Sequence, residues 1–119
     1  MKRDPRLIEF SREHHLALKL GKLLENTTSV EKGNVELGEY RTLLLNHFLE
    51  EEKMLNSIIE TLDHSVKERF HSDHAQLRNY LKKEILTISE LQQFGTFLIA
   101  HTRFEERELF QLVQKSWAG

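Results

Sequence analysis

The residues of this 119-residue chain best suited to chemistry are its seven His, and several of them stand at a fixed distance from Glu. His47 with Glu51, and again His101 with Glu105, form a His-x-x-x-Glu pair. On a helix that step places both side chains on one face, one turn apart, so two groups of one helix can reach the same ion. With seven His and sixteen Glu, chance predicts about one such pair, and three occur. The third, His64–Glu68, falls at a helix entrance, where Glu68 fits a capping box opened by Ser65. It is set aside as a site.

The two remaining pairs interrupt apolar ladders. One ladder runs Leu37, Tyr40, Leu44, His47, Glu51, Met54, Ile58, and the other runs Leu91, Phe94, Leu98, His101, Glu105, Leu109, Leu112. Two further ladders carry one inward His each: Phe10, His14, Ala17 or Leu18, Gly21, Leu24, and Phe70, His74, Leu77, Leu81. His14 is preferred to its neighbour His15, which shares a face with Arg12, Lys19 and Lys22. His74 is preferred to His71, which falls beside Lys67 and Arg78. Glu50, Glu52, Glu106 and Glu108 read as a solvated face, and Met54, Tyr40, Phe94 and Phe97 as packing.

Positioning these groups takes four helices. Apolar residues recur at steps of three and four, no stretch alternates as a strand would, and turn-type breaks fall at 26–34, 61–63 and 85–87. The expected spans are roughly 11–27, 34–59, 65–84 and 88–116, with caps at Ser11, Asn34, Ser65 and Thr87. Connections this short imply an all-α, up-down-up-down antiparallel four-helix bundle over residues 1–119, a single domain. In such a bundle, residues equidistant from a connecting loop lie side by side. That puts His14, His47, Glu51, His74, His101 and Glu105 in one layer, where unpaired polar groups cost about 1–3 kcal/mol each. A bound metal pair resolves the conflict.

Composition narrows the metal and the setting. The chain has no Cys, which excludes disulfides, thiolate sites and iron–sulfur clusters. Nitrogen and oxygen donors suit iron or manganese, with zinc or copper also compatible. Hydrophobic residues at 39%, charged residues at 30% and one Pro describe a globular chain rather than a disordered one. A net charge of -2 without a basic stripe argues against nucleic acid as a partner. No apolar run of signal-peptide or membrane-spanning length follows the start, so a cytoplasmic protein with no membrane partner is expected.

The segments Glu13-His14-His15-x-Ala17-Leu18, His47-Phe48-Leu49-Glu50-Glu51, Asp73-His74-x-x-Leu77 and His101-x-x-Phe104-Glu105-Glu106-x-x-Leu109-Phe110 resemble the hemerythrin family, in particular its HHE cation-binding domain. The likeness covers nearly the whole chain. It implies two iron ions with a bridging oxo or hydroxo group, bridged also by Glu51 and Glu105. His14 and His47 would then ligate one iron, and His74 and His101 the other. Oxygen-carrying members typically have two His four apart on the third helix and His-x-x-x-x-Asp on the fourth. Here the third helix has His71 and His74 three apart, and the fourth has His101-x-x-x-Glu105. The doubled His-x-x-x-Glu is more similar to di-iron proteins implicated in repair of iron–sulfur centres. Those usually add a Cys-bearing N-terminal domain, for which this sequence shows no counterpart.

The function expected on this resemblance is binding of a small ligand (O2, NO or peroxide) at an open coordination position, in sensing or iron handling under oxidative or nitrosative stress. A binding protein is favoured over an enzyme. The alternatives are a di-iron enzyme consuming peroxide or nitric oxide, and a metal-free interaction bundle. A ferritin-like carboxylate site would need Glu-x-x-His on two helices, and only Glu68–His71 supplies one.

Overall fold

The structure is a computed structural model and describes residues 2–119. The described residues form helices and short connections: α1 (Pro5–Glu25), α2 (Val30–Ile59), α3 (His64–Lys82), α4 (Ile88–Phe104), a π-helical turn (Glu105–Leu109) and α5 (Phe110–Ala118). The π turn joins α4 and α5 into one rod, so four rods pack together. At about 1.5 Å per residue the 30-residue α2 spans about 45 Å, close to the 48 Å long axis of the molecule.

Capping chemistry sets the helix starts, and three of them differ from the expectation. α1 begins six residues before the expected start, with Asp4 as cap accepting from the Arg6 N–H and Pro5 in the first turn. Ser11 lies inside that helix. α2 is capped by Ser29, which accepts from the Lys32 N–H. Asn34 instead ties the first turn of α2 to the α3–α4 connection, since its amide donates to the Leu86 carbonyl and accepts from the Leu86 N–H. α3 is entered at Asp63, so Ser65 and Glu68 form no capping box. The box at Thr87 and Glu90 is formed as expected, each residue bonding the other's backbone N–H.

The core divides in two. One apolar cluster holds Ala17, Leu20 and Leu24 of α1, Leu37, Leu44 and Phe48 of α2, Leu77 and Leu81 of α3, and Leu91, Phe94 and Leu98 of α4. The other holds Leu7 and Phe10, Leu55 and Ile59, Phe70, and Phe104, Leu109, Phe110 and Val113. Each buried side chain of this size contributes about 1.5–3 kcal/mol. Along α1 and α3 the second cluster precedes the first, and along α2 and the α4–α5 rod the first precedes the second.

Two ladders shift register against the expectation. After Glu51 the buried residues are Leu55 and Ile59, whereas Met54 is exposed and Ile58 only partly buried. After Glu105 they are Leu109, Phe110, Val113 and Gln114, and Leu112 is only partly covered. The second shift has a local cause. The Phe110 N–H bonds back five residues to the Glu105 carbonyl, and the extra residue in that turn rotates everything beyond it.

α1 and α4 approach closely at Gly21 and Gly95. A Cβ on Gly95 would lie 2.6 Å from both the Glu25 nitrogen and the Gly21 carbonyl oxygen, so only glycine fits the crossing.

Candidate metal centre

Between the two apolar clusters lies a layer of six buried ionisable side chains: His14, His47, Glu51, His74, His101 and Glu105. All four rods contribute. The carboxylates of Glu51 and Glu105, both wholly buried, occupy the middle, and each imidazole turns its Nε2 toward them. His14 Nε2 is 2.8 Å from Glu105 and 3.5 Å from Glu51. His47 Nε2 is 3.2 Å from Glu51. His74 Nε2 is 3.1 Å from Glu51 and 3.4 Å from Glu105, and His101 Nε2 is 3.3 Å from Glu105.

Two overlapping quartets emerge: His14, His47, Glu51 and Glu105, and Glu51, His74, His101 and Glu105. Within each, one donor atom per residue lies within 4.8 Å of the others, a spacing that could hold a metal ion. Both quartets share both carboxylates. Five donor atoms of the layer have no hydrogen-bond partner: Glu51 Oε1 and Oε2, His74 Nε2, His101 Nε2 and Glu105 Oε2. In a core that is otherwise apolar, each would cost about 1–3 kcal/mol if left unpaired. Nitrogen and carboxylate donors aimed at common points fit a cation of the iron, manganese or zinc type.

The opposite ring nitrogens are all engaged, by residues assigned no site role in the sequence. His14 Nδ1 pairs with Glu106 at 2.5 Å, His47 Nδ1 with Glu13 at 2.8 Å, His74 Nδ1 with Glu52 at 2.7 Å, and His101 Nδ1 with Asp73 at 2.8 Å. A carboxylate on Nδ1 holds the proton there and leaves the Nε2 lone pair for a metal. Glu52 and Glu106 are therefore not a solvated face: they are half-covered and bonded to site imidazoles, whereas Glu50 and Glu108 are exposed as expected. The signal was present in the sequence. Each of the four carboxylates stands next to an inner residue: Glu13 beside His14, Glu52 beside Glu51, Asp73 beside His74, Glu106 beside Glu105.

The pairs close into a ring. Glu13 on α1 holds a His of α2, Glu52 on α2 holds one of α3, Asp73 on α3 holds one of α4, and Glu106 after α4 holds one of α1. Adjacent helical residues point about 100° apart, so while one faces the centre its neighbour faces the next seam.

Protonation follows from this crowding. Burial alone would push His74 down, but Glu105, Glu51 and Glu52 outweigh it and raise its pKa to about 11. The same contest, with Glu51 and Glu13 prevailing, lifts His47 to about 9. His14 and His101 are raised too, against burial, by Glu105 with Glu106 and by Glu105 with Asp73. Burial and mutual repulsion work to raise Glu51, yet His47 and His14 hold it low. Glu105 is held well below the usual range against burial, chiefly by His101. Without metal, the layer is an ion network of imidazolium and carboxylate.

The remaining His lie elsewhere. His15 and His64 are exposed, and His71 is exposed at the edge of Phe70, in a groove lined also by Glu52, Arg78 and Lys82. His64 and Glu68 face solvent 3.7 Å apart. No described helix is long and apolar enough to cross a membrane. The chain matches no protein-family model, no curated protein and no solved structure.

Proposed function

We propose that this chain is a hemerythrin-like domain that binds two iron ions, one in each quartet, with Glu51 and Glu105 bridging them. The observation that carries this reading is that both quartets share both buried carboxylates while the imidazoles divide two and two between them. The architecture proposed with it is an up-down-up-down antiparallel bundle of one domain. The alternating order of the two apolar clusters along successive rods supports it. So does the ring. The outer carboxylate precedes its inner neighbour on α1 and α3 and follows it on α2 and α4, which gives one rotational sense only if successive helices reverse direction.

An iron pair, when bound, supplies redox-active Lewis-acid positions for a small ligand such as O2, NO or peroxide. The protein's own share is orientation and exclusion of water. Phe110 stacks on His14 at 5.3 Å, Phe10 meets His47 at 5.6 Å, and Phe48 and Phe70 flank His74 at 4.8 and 4.3 Å. These rings fix the imidazoles and surround the charges with a low dielectric, which strengthens every electrostatic contact inside. Four His rather than five leave an open position at each iron, which favours binding, sensing or iron handling under oxidative or nitrosative stress over stable oxygen carriage.

The test is anaerobic reconstitution with Fe2+, followed by metal analysis and an optical spectrum before and after exposure to air and to NO. About two iron per chain and a ligand-dependent spectral change are expected. A chain that retains no metal would overturn the proposal and leave the six groups as an ion network.

A further inference from the structure

The ring of outer carboxylates is not uniform in charge. Glu106 receives Arg3 at 2.9 Å and the Ser11 hydroxyl at 2.8 Å. Glu52 receives both terminal nitrogens of Arg78, at 2.6 and 2.9 Å, and Asp73 receives Arg69 at 3.4 Å. Each of these guanidinium groups also lies over a core aromatic ring: Arg3 over Phe110, Arg78 over Phe48 and Arg69 over Phe104. Each cation is thus held in place from two sides. Glu13 differs. It pairs with His47, and among the described residues no Arg or Lys joins it. One turn away Arg12 is engaged by Glu9, and both are largely exposed.

The uncompensated charge falls on one quartet only. Behind His14 and His47 stand two carboxylates and one guanidinium, whereas behind His74 and His101 stand two carboxylates and two guanidiniums. The inner carboxylates are common to both quartets and cannot distinguish them. We infer that the two cation positions are electrostatically unequal, and that Glu13 makes the His14–His47 position the first to fill. An outer carboxylate strengthens its imidazole as a donor and adds negative charge near the cation, and a guanidinium on that carboxylate cancels much of both. The Glu13 carboxylate is partly solvent-exposed at the α1–α2 seam, with side-chain exposure of 21%, so it also offers an arriving cation an unneutralised contact from outside.

This inference rests on the two-cation reading above, and the test separates the two. Mn2+ is titrated into the chelator-stripped full chain, with free Mn2+ followed by electron paramagnetic resonance, which also distinguishes isolated bound ions from magnetically coupled pairs. Repulsion between two cations separates the steps in any such site, so variants decide. Glu13→Gln should weaken the first step about ten- to a hundredfold and leave the second nearly unchanged. Glu52→Gln should do the reverse. Arg78→Gln, which uncovers Glu52, should tighten the second step while sparing the first.

That last sign carries the weight, because a purely structural Arg78 would weaken binding when removed. Weakening of either step by Arg78→Gln, or equal effects of Glu13→Gln and Glu52→Gln on the first step, would overturn the inference and leave the two-cation reading standing. Absence of any bound Mn2+ in the native chain would overturn both. Far-ultraviolet circular dichroism of each stripped variant confirms that the fold is retained.

Discussion

Glu51 and Glu105 differ from the four imidazoles in one respect that mutation can read: each belongs to both quartets. Glu51→Ala should therefore lose both ions, whereas His101→Ala should spare the His14–His47 position. Metal per chain, measured after desalting, distinguishes the two outcomes. Protons and cations compete for the same Nε2 atoms, so the stripped protein has a pH dependence of its own. His47, at about 9, and His74, at about 11, are raised above the ordinary 6.5. Their contribution to stability is complete below pH 6.5 and is lost as pH rises through 9 toward 11. Glu52 is lowered from 4.5 to about 2 by His74 and Arg78 against the pull of burial, so its contribution is present above pH 4.5 and fades toward 2. Melting in the presence of chelator should be highest between about pH 4.5 and 6.5 and fall on both sides. A profile rising steadily into the alkaline range would contradict the ion network. His71, exposed and outside both quartets, completes the residue scale. His71→Ala should leave metal content and the lifetime of any oxygen adduct unchanged, and abolition of a long-lived adduct would make it a fifth ligand.

At the scale of elements, the α1–α4 contact and the π turn decide how the layer is aligned. Alanine is normally the better helix residue by about 1 kcal/mol, and two glycines test when that preference is overruled. Gly38 has open space around its Cβ position, so Gly38→Ala should stabilise the fold by about 0.5–1 kcal/mol. Gly95→Ala meets backbone on α1 and cannot be relieved by a side-chain rotation, so it should destabilise by about 1–3 kcal/mol despite the same propensity gain. Denaturant midpoints of the two variants should move in opposite directions. Helical periodicity could place His101 and Glu105 on one face, because they precede the irregularity. It could not place Val113, because a π turn depends on tertiary packing beyond Glu105 and leaves no mark in the local pattern.

The whole molecule consists of two apolar clusters separated by an ionic layer, and its stability depends on what occupies that layer. A cation at a thousand times its dissociation constant adds about 4 kcal/mol of folding free energy. Chelation should therefore lower the melting temperature by upward of about 10 °C in this 119-residue chain. Equal melting with and without metal would favour a metal-free bundle. Much of this design was legible in the sequence, because helix periodicity is local: the same i, i+4 step that makes a ladder also exposes a polar rung within it. The helical class, the existence of four rods, and the six inner residues follow from spacing, loop position and the absence of strand patterns. Helix starts were less legible. Asp4 and Ser11, or Ser29 and Asn34, are comparable cap residues by type, and the choice fell to contacts far along the chain, such as the Asp4 N–H on Gln114 and the Asn34 amide on Leu86. The outer carboxylates show the limit most clearly. Glu13, Glu52, Asp73 and Glu106 look like ordinary surface acids, since nothing local separates them from Glu50 or Glu108. Which acid reaches an imidazole depends on the angle at which the next helix passes, and only the packed bundle sets that angle.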